Sequence, residues 1–534
     1  MAGMRSFWLT GVVFVFCCEA VAAPRPCDVA RSVARPPGAP RASDVIMRSL
    51  RLHPANARDP HDTMAALKAF HVTRLEWAYI TDKAFIGRVR ASGRVFGGAA
   101  AAPSYIPVEN APDDWFEKVV VVDLAGRPCI AHWKRTWKRT IWGCINNPEL
   151  ERGYMAYLSR YIDAGAEVMQ RDEPSANHFA CFWGGCFCKY CVAAFRRHLA
   201  RTTDAEQRRK LGVADPNTFD VREHFLARKA PAGDAFRRWR GGEMKERFEA
   251  FQMEATIAFH QRTRKALNAY ARRRVPMSCN NGARRWSNLE KQFDWVFGEL
   301  AFRHATAVYL HNLYASARKS GRVQVITMPK KGDRGDLPGW LRRTRRTIAT
   351  AYSCGGLCMA PWDVYMPRDA PRYFGTPEQY ADLLGFVRAA REYLDGYEYA
   401  GAVGKGIRCD LYGDPGPPIC LPSDHPGLFA FLRAKPNLPE APVVVHLVDW
   451  SDQPQPAVVK LDLPRIVKAG PDCATLLTPP PYEKALHVKA DRSGEYAALK
   501  TQTPLKTGPD GGIRIPALRP WGILVLRGKG KEEQ

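Results

Sequence analysis

The chain is short of acid. Against 79 Lys and Arg it sets 54 Asp and Glu, a formal net charge of +25 over 534 residues, and such an excess favours anionic surroundings, whether nucleic acid, acidic polysaccharide or membrane headgroups. Further absences narrow that list. Beyond the first two dozen residues no segment approaches the ~18 uninterrupted apolar residues of a membrane-crossing helix, so no integral membrane span is expected. No basic stretch is interleaved with aromatics in a nucleic-acid-binding pattern, so no nucleic acid is expected as partner. An internal repeat and a long low-complexity tract are also missing. What remains is a carbohydrate partner, anionic if the charge is functional.

The first segment, "MAGMRSFWLTGVVFVFCCEAVAAP", places Arg5 before an apolar run from Phe7 to Cys18 and ends on the small-residue pattern Ala20-Val21-Ala22. This reads as a signal peptide over 1–23, hence a secreted or periplasmic protein. Cys17 and Cys18 follow Phe14-Val15-Phe16, a poor match to a lipid-attachment signal. Cleavage would remove two of the 15 cysteines and leave 13, an odd number that disulfides within one chain cannot exhaust.

Hydrophobic residues make up 46% and aromatics 11%, which excludes a disordered chain, and the length calls for a large domain plus a smaller one. From residue 61 short apolar runs alternate with helical patterns: "RLEWAYI", "VFGGAAAAP", "KVVVVDLAGRPCIAHW", "AEVMQRDEP", "VPMSCNNG", "FDWVFGEL", "VQVITMP" and "GGLCMAPWDVY". Counted from Arg74 these are eight strands in βα order. They predict a (β/α)8 TIM barrel over 61–413, after an N-terminal extension over 24–60, with an insertion at about 175–245. Phe248, Phe251, Ala255, Ala258 and Phe259 recur at helical spacing and read as one packed face. A Pro-rich linker (414–439) then leads to strand-like pieces without helical period, a small antiparallel β-sandwich over 440–528.

In such a barrel the active site lies at the C-terminal ends of the strands. Four carboxylates fall there: Asp172 and Glu173 in "QRDEP", Glu299 in "FGEL" and Asp363 in "PWDVY". Glycosidic-bond cleavage needs such a pair, one acid to protonate the leaving oxygen and one base or nucleophile to attack at the sugar. Adjacent strand residues face opposite sides, so only one of Asp172 and Glu173 is expected to reach the pocket unless the chain turns at Pro174. Trp77, Trp183, Trp295 and Trp362 could stack on sugar faces, and Glu76, Asn280 and Asn281 could bind hydroxyls. Each alone has an ordinary structural explanation; their coincidence at strand ends points to an exported glycoside hydrolase, of retaining or inverting outcome. The alternative is a carbohydrate-binding barrel without catalysis.

Cys181, Cys186, Cys188 and Cys191 form C-x4-C-x-C-x2-C. The tight final triplet suits thiolate coordination of a structural zinc, while an oxidising compartment favours disulfides. A strand-end Glu followed by C-x-C-x2-C and "AAFRRHL" resembles the zinc-containing β-galactosidases of glycoside hydrolase family 42, and still more a group of barrel proteins described only as hypothetical glycosyl hydrolases. The resemblance implies Glu173 as proton donor and a fourth zinc ligand upstream, where Cys144 competes with Cys181. It departs at Asp172, where that family has Asn, and in placing the nucleophile on the seventh strand, whereas Glu299 follows the sixth. Glu299 is the first choice as partner of Glu173. A reversed assignment with Asp172 as nucleophile resembles fucosidase-like barrels.

Overall fold

The computed structural model describes residues 23–48, 60–101, 113–130, 142–284, 286–328, 337–360, 376–414, 416–466 and 474–528. Eight strands, β1 (Ile46–Met47), β2 (Arg74–Ala78), β3 (Val95–Ala101), β4 (Val168–Asp172), β5 (Met277–Asn280), β6 (Trp295–Gly298), β7 (Val323–Ile326) and β8 (Leu357–Cys358), lie side by side in chain order. Every pairing between them is parallel. A parallel bridge between Ile46 and Met359 closes the ring, with the Ala360 amide donating to the Ile46 carbonyl at 2.7 Å. Helices Lys83–Ala91, Pro148–Asp163, Gly242–Ala271, Ala307–Lys319, Leu337–Ser353 and Pro377–Ala389 return the chain between strands or follow the last one. This is the expected TIM barrel.

The helix Pro148–Asp163 shows how the sequence sets this packing. Asn147 caps it by accepting from the Glu149 amide, Pro148 opens the first turn, and Leu150, Tyr154, Tyr157, Leu158 and Tyr161 bury one face. Tyr161 lies so close to β3 that a Cβ on Gly98 would sit 2.4 Å from its ring. A glycine is what lets helix and strand meet there.

Two expectations about strand order need correction. The first barrel strand is Ile46–Met47, ahead of Arg74 and inside the stretch read as an N-terminal extension. The run "KVVVVDLAGRPCI" is not a barrel strand. Its extended residues make single antiparallel bridges, Val120 to Gly143, Val122 to Pro128 and Asp123 to Gly185. The total of eight survived because one strand was missed and one was added.

Between β4 and β5 the chain builds a helical insertion with its own apolar core, including Phe187, Phe195, Phe225, Phe236, Phe248 and Phe251, which Leu124 joins from the segment before β4. The 30-residue helix Gly242–Ala271 leaves this insertion and joins the barrel, where Phe259 is part of the main core. The single face expected from its phenylalanines is therefore shared between two cores.

The remaining strands are antiparallel. One sheet has the order β15 (Thr501–Leu505), β14 (Ala474–Thr478), β17 (Trp521–Leu526), β12 (Val443–Asp449), β11 (Leu428–Ala434), β9 (Glu398–Val403); the other has β10 (Ile419–Cys420), β13 (Ala457–Leu461), β16 (Gly512–Ile515). A core of Leu432, Val445, Val459, Leu476, Ile513 and Leu524 fills the space between them. The larger sheet recruits β11 from the stretch read as linker and begins with β9. Val444, Ile523 and Trp521 on it belong to the barrel's core. Among the described residues no helix is long and apolar enough to cross a membrane.

Candidate active site

Strand periodicity decides which side chains reach the barrel interior. On β4, Arg171 faces outward, bonding Thr263 and His260 on the helix Gly242–Ala271, so Gln170 and Asp172 face inward. On β6, Trp295 donates from Nε1 to Glu76 at 3.2 Å across the barrel. Phe297 and Glu299 follow at the same two-residue spacing, and Glu299 stands just beyond the strand's last residue. Asp172 and Glu299 therefore share the mouth at the C-terminal ends of β4 and β6.

Asp172 is half-buried and fixed by three donors. The Tyr79 hydroxyl donates to Oδ2 at 2.6 Å, and Asn280 Nδ2 and the Glu173 amide donate to Oδ1 at 3.3 and 3.0 Å. Both oxygens are thus held as acceptors, the arrangement suited to a carboxylate that attacks or stabilises positive charge. Glu299 is more open, with 38% of its side chain exposed, and faces Arg48 Nη1 at 4.0 Å. The Arg48 guanidinium lies 3.7 Å above the Trp77 ring, a stacked cation that fills the mouth beside β1.

The backbone is strained at this rim. Trp77 has φ +54° and Glu173 φ +51°, left-handed values that cost side-chain-bearing residues energy and cluster at functional sites. At Trp77 the β2–β3 register also shifts. Glu173 lies past the strand end on a turn held from below, where the Pro174 carbonyl accepts from His260 Nε2 at 2.7 Å.

Several expected residues are brought elsewhere. Glu76 is fully buried, with its oxygens on Arg74 and Trp295; burial pushes its carboxyl above the ordinary glutamate range. It belongs to the packed floor of the barrel and is out of reach of a sugar. Trp295 is part of that floor. Trp77 is buried beneath Arg48 and beside Phe297, leaving no open ring face. Trp183 packs edge-on against Trp142 at 4.7 Å beside the cysteines. Asn280 is at the site, on Asp172, whereas its neighbour Asn281 faces away, buried, and binds Gln324 and the Ala283 amide. Trp362 and Asp363 lie outside the described residues. Sequence reasoning missed Tyr79 and Arg48; each directly follows a barrel strand, which is the available signal.

The cysteines converge. Sulfurs of Cys144, Cys186, Cys188 and Cys191 all lie within 4.8 Å of one another, with Cys144 3.3 Å from Cys191 and 3.5 Å from Cys188. A disulfide needs about 2.05 Å, whereas a tetrahedral zinc with bonds of about 2.3 Å spaces its sulfurs by about 3.8 Å. Side-chain amides surround the cluster: Asn177 Nδ2 reaches Cys144 and Cys191 at 3.4 and 3.3 Å, and Asn146 Nδ2 reaches Cys191 at 3.2 Å. N–H donors of this kind stabilise thiolates around a metal. Hydrogen bonds from neighbouring sulfurs lower the Cys188 thiol, while burial raises Cys186 and Cys191. Of the two candidates for the fourth position Cys144 is present, and Cys181 packs instead in the apolar core of the insertion. The cluster ties the segment after β3, through Cys144, to the insertion after β4.

No protein-family model matches the sequence, and no curated protein matches it. Among solved structures it is similar to an α-galactosidase from Lactobacillus brevis, at 9% identity and TM-score 0.46, over 92% of this chain and 56% of that one. It is also similar to a debranching enzyme from Nostoc punctiforme, at 9% identity and TM-score 0.45, over 90% and 98% of the two chains. A third is the α-glucosyl transfer enzyme XgtA, at 10% identity and TM-score 0.47, over 91% and 99%. Likenesses this distant carry nothing about chemistry; what the site can do follows from its own side chains.

Proposed function

We propose that this chain is an exported glycoside hydrolase acting on a polysaccharide or glycoconjugate, with Asp172 as nucleophile and Glu299 as acid/base. One arrangement supports the reading above the rest: Asp172 faces the barrel mouth with three donors on its oxygens, and Glu299 occupies the equivalent inward position two strands away. Two inter-strand spacings of about 4.8 Å put their backbones about 10 Å apart. The double displacement described next requires the two carboxyl groups to converge from there to about 5–5.5 Å. In the first step an Asp172 oxygen bonds to the anomeric carbon as the glycosidic C–O bond breaks, and Glu299 gives its proton to the departing oxygen. In the second, Glu299 takes a proton from water, whose oxygen displaces Asp172. This reverses the roles implied by the family 42 resemblance, because Asp172 rather than Glu173 ends the inward row of β4.

The N-terminal leader supports export, and the positive charge supports an anionic glycan as substrate. Binding of a uronate-rich or sulfated oligosaccharide is expected to weaken steeply between 0.05 and 1 M salt (about ten- to a hundredfold), as the Debye length shrinks to about 3 Å. A salt-independent affinity, or a preference for neutral glycans, counts against the anionic substrate while leaving the hydrolase reading intact.

We further propose one structural zinc on Cys144, Cys186, Cys188 and Cys191. Four thiolates complete a tetrahedral shell, so the metal would hold the β3 and β4 loops together and offer no open position to substrate. Elemental analysis of protein purified without added metal should give about one zinc per chain. Cys188→Ser should lose it and cut activity at least tenfold, through loosened loops, with the barrel's far-UV circular dichroism kept. Peptide mapping that finds these cysteines in disulfides, or protein free of zinc, refutes the site.

A further inference from the structure

One layer below the carboxylate, the barrel interior holds polar groups that the fold does not use. Gln170 precedes Asp172 on β4 by two residues, and Ser278 precedes Asn280 on β5 by two; Gln170 and Ser278 are register partners on the adjacent strands. Both face inward with Asp172 and Asn280, since Arg171 between Gln170 and Asp172 points at the outer helix. Gln170 is 1% and Ser278 0% exposed. Among the described residues neither the Gln170 amide oxygen and nitrogen nor the Ser278 hydroxyl has a hydrogen-bond partner. Such groups are costly unless something satisfies them.

The wall beside Gln170 is low on its β3 side. Gly98 faces out toward Tyr161, so β3 turns Gly97, Ala99 and Ala101 inward, and Ala99 and Ala101 are the register partners of Gln170 and Asp172. Beside Gln170 that wall carries nothing longer than a methyl group, while on the far side of Ser278 its register partner is the buried Trp295. We propose that Gln170 and Ser278 form the floor of the sugar site and read one hydroxyl of the ring whose anomeric carbon faces Asp172. The amide offers an acceptor and a donor, the serine either role, so together they match a group that both donates and accepts. This rests on the glycoside-hydrolase reading for the position of the sugar, and it makes Gln170 and Ser278 specificity residues. A ring lacking that hydroxyl would leave both buried groups unpaired, a strong ground for rejection.

The test is binding, which does not require catalysis. Free galactose, glucose, mannose and glucuronic acid, each with its monodeoxy derivatives, are titrated calorimetrically into the intact protein. The best-bound sugar should lose about 100-fold or more in affinity on removal of one particular hydroxyl. Gln170→Leu/Ser278→Ala should bind the parent sugar as weakly as the deoxy form, abolishing the difference while melting no lower than wild type. Ser278→Ala alone is the minimal variant should the double one fail to fold, and should lose at least tenfold of the discrimination. Unchanged discrimination in the variants, no measurable binding of any of these sugars, or a complex in which ordered water instead of a sugar hydroxyl fills the place between Gln170 and Ser278 overturns the proposal. Sugars that bind with this discrimination while none of their glycosides is cleaved refute the hydrolase reading and leave the floor assignment standing.

Discussion

Replacing Asp172 by alanine should lower turnover of an unactivated glycoside by about 10⁴-fold or more, the scale seen when an enzyme loses the group that forms its covalent intermediate. The chain itself should stay folded. Asp172 is half-buried and its three partners, Tyr79, Asn280 and the Glu173 amide, are all donors able to turn to water in its absence. Adding azide to Asp172→Ala with an activated aryl glycoside should restore turnover and yield the glycosyl azide of inverted anomeric configuration, because the anion attacks from the place the carboxylate left. Glu299→Ala should behave differently. Loss of a proton donor costs about 10²–10⁴-fold on a poor leaving group and little on a nitrophenolate, and azide should then give the product of retained configuration. The same series with Glu173→Gln discriminates the assignment drawn from the family resemblance. If Glu173→Gln carries the leaving-group dependence and Glu299→Ala gives inverted azide product, the roles proposed here are wrong, with Glu173 the acid and Glu299 the nucleophile.

The positions of Asp172 and Glu299 at the strand ends were legible in the sequence, and the limits are physical. "VMQRD" and "WVFG" announce themselves because each is a short apolar run stopped by turn residues, and an acid at such a stop lies at the barrel mouth by topology alone. β1 did not announce itself. Only Ile46 and Met47 pair with β2, and a two-residue strand has no period to detect. Conversely, "KVVVVDL" has strand composition but is spent on isolated bridges outside the barrel sheet, since β-propensity records burial on a pleated surface and not membership of a particular sheet. Which of the adjacent Asp172 and Glu173 ends the inward row is fixed by Arg171 reaching His260 some ninety positions away. Spacing likewise could not choose between Cys144 and Cys181; the choice is made where the β3 segment folds back onto the insertion.

Acid should unfold this protein well above the pH at which carboxylates protonate. His71, His260 and His311 are almost fully buried, and burial is the first cause that pushes their imidazoles down from 6.5, to about 3, about 3 and about 4. For His260 the geometry itself requires the neutral ring. His260 donates from Nε2 to the Pro174 carbonyl, so its Nδ1 must accept from Arg171 at 3.2 Å; a proton there would face a guanidinium. His71 shares one hydrogen bond of 2.7 Å with His487 on the helix Lys484–Ser493, where the barrel meets the sandwich. His311 bonds the Tyr399 hydroxyl at 2.8 Å. A base whose folded value is depressed contributes stability that is complete above its unfolded value, near 6.5, and falls as pH drops toward the folded one, because the unfolded chain takes up the proton first. From pH 7 to pH 5 each of the three should cost about 2 kcal/mol, together about 6 kcal/mol. That is comparable to the whole stability of an ordinary domain. Glu76 works in the opposite sense, since its buried carboxyl is raised and gains from acid, which trims the loss. Urea midpoints measured at pH 7, 6 and 5 should therefore fall steeply, and His311→Gln, which keeps a hydrogen-bonding group without the titration, should flatten the slope by no more than about one quarter, because the buried His446 is depressed by the same cause. A midpoint that stays level across this range would mean that these imidazoles take up protons in the folded state after all, and that the turn carrying Glu173 and Pro174 is not anchored by a neutral His260.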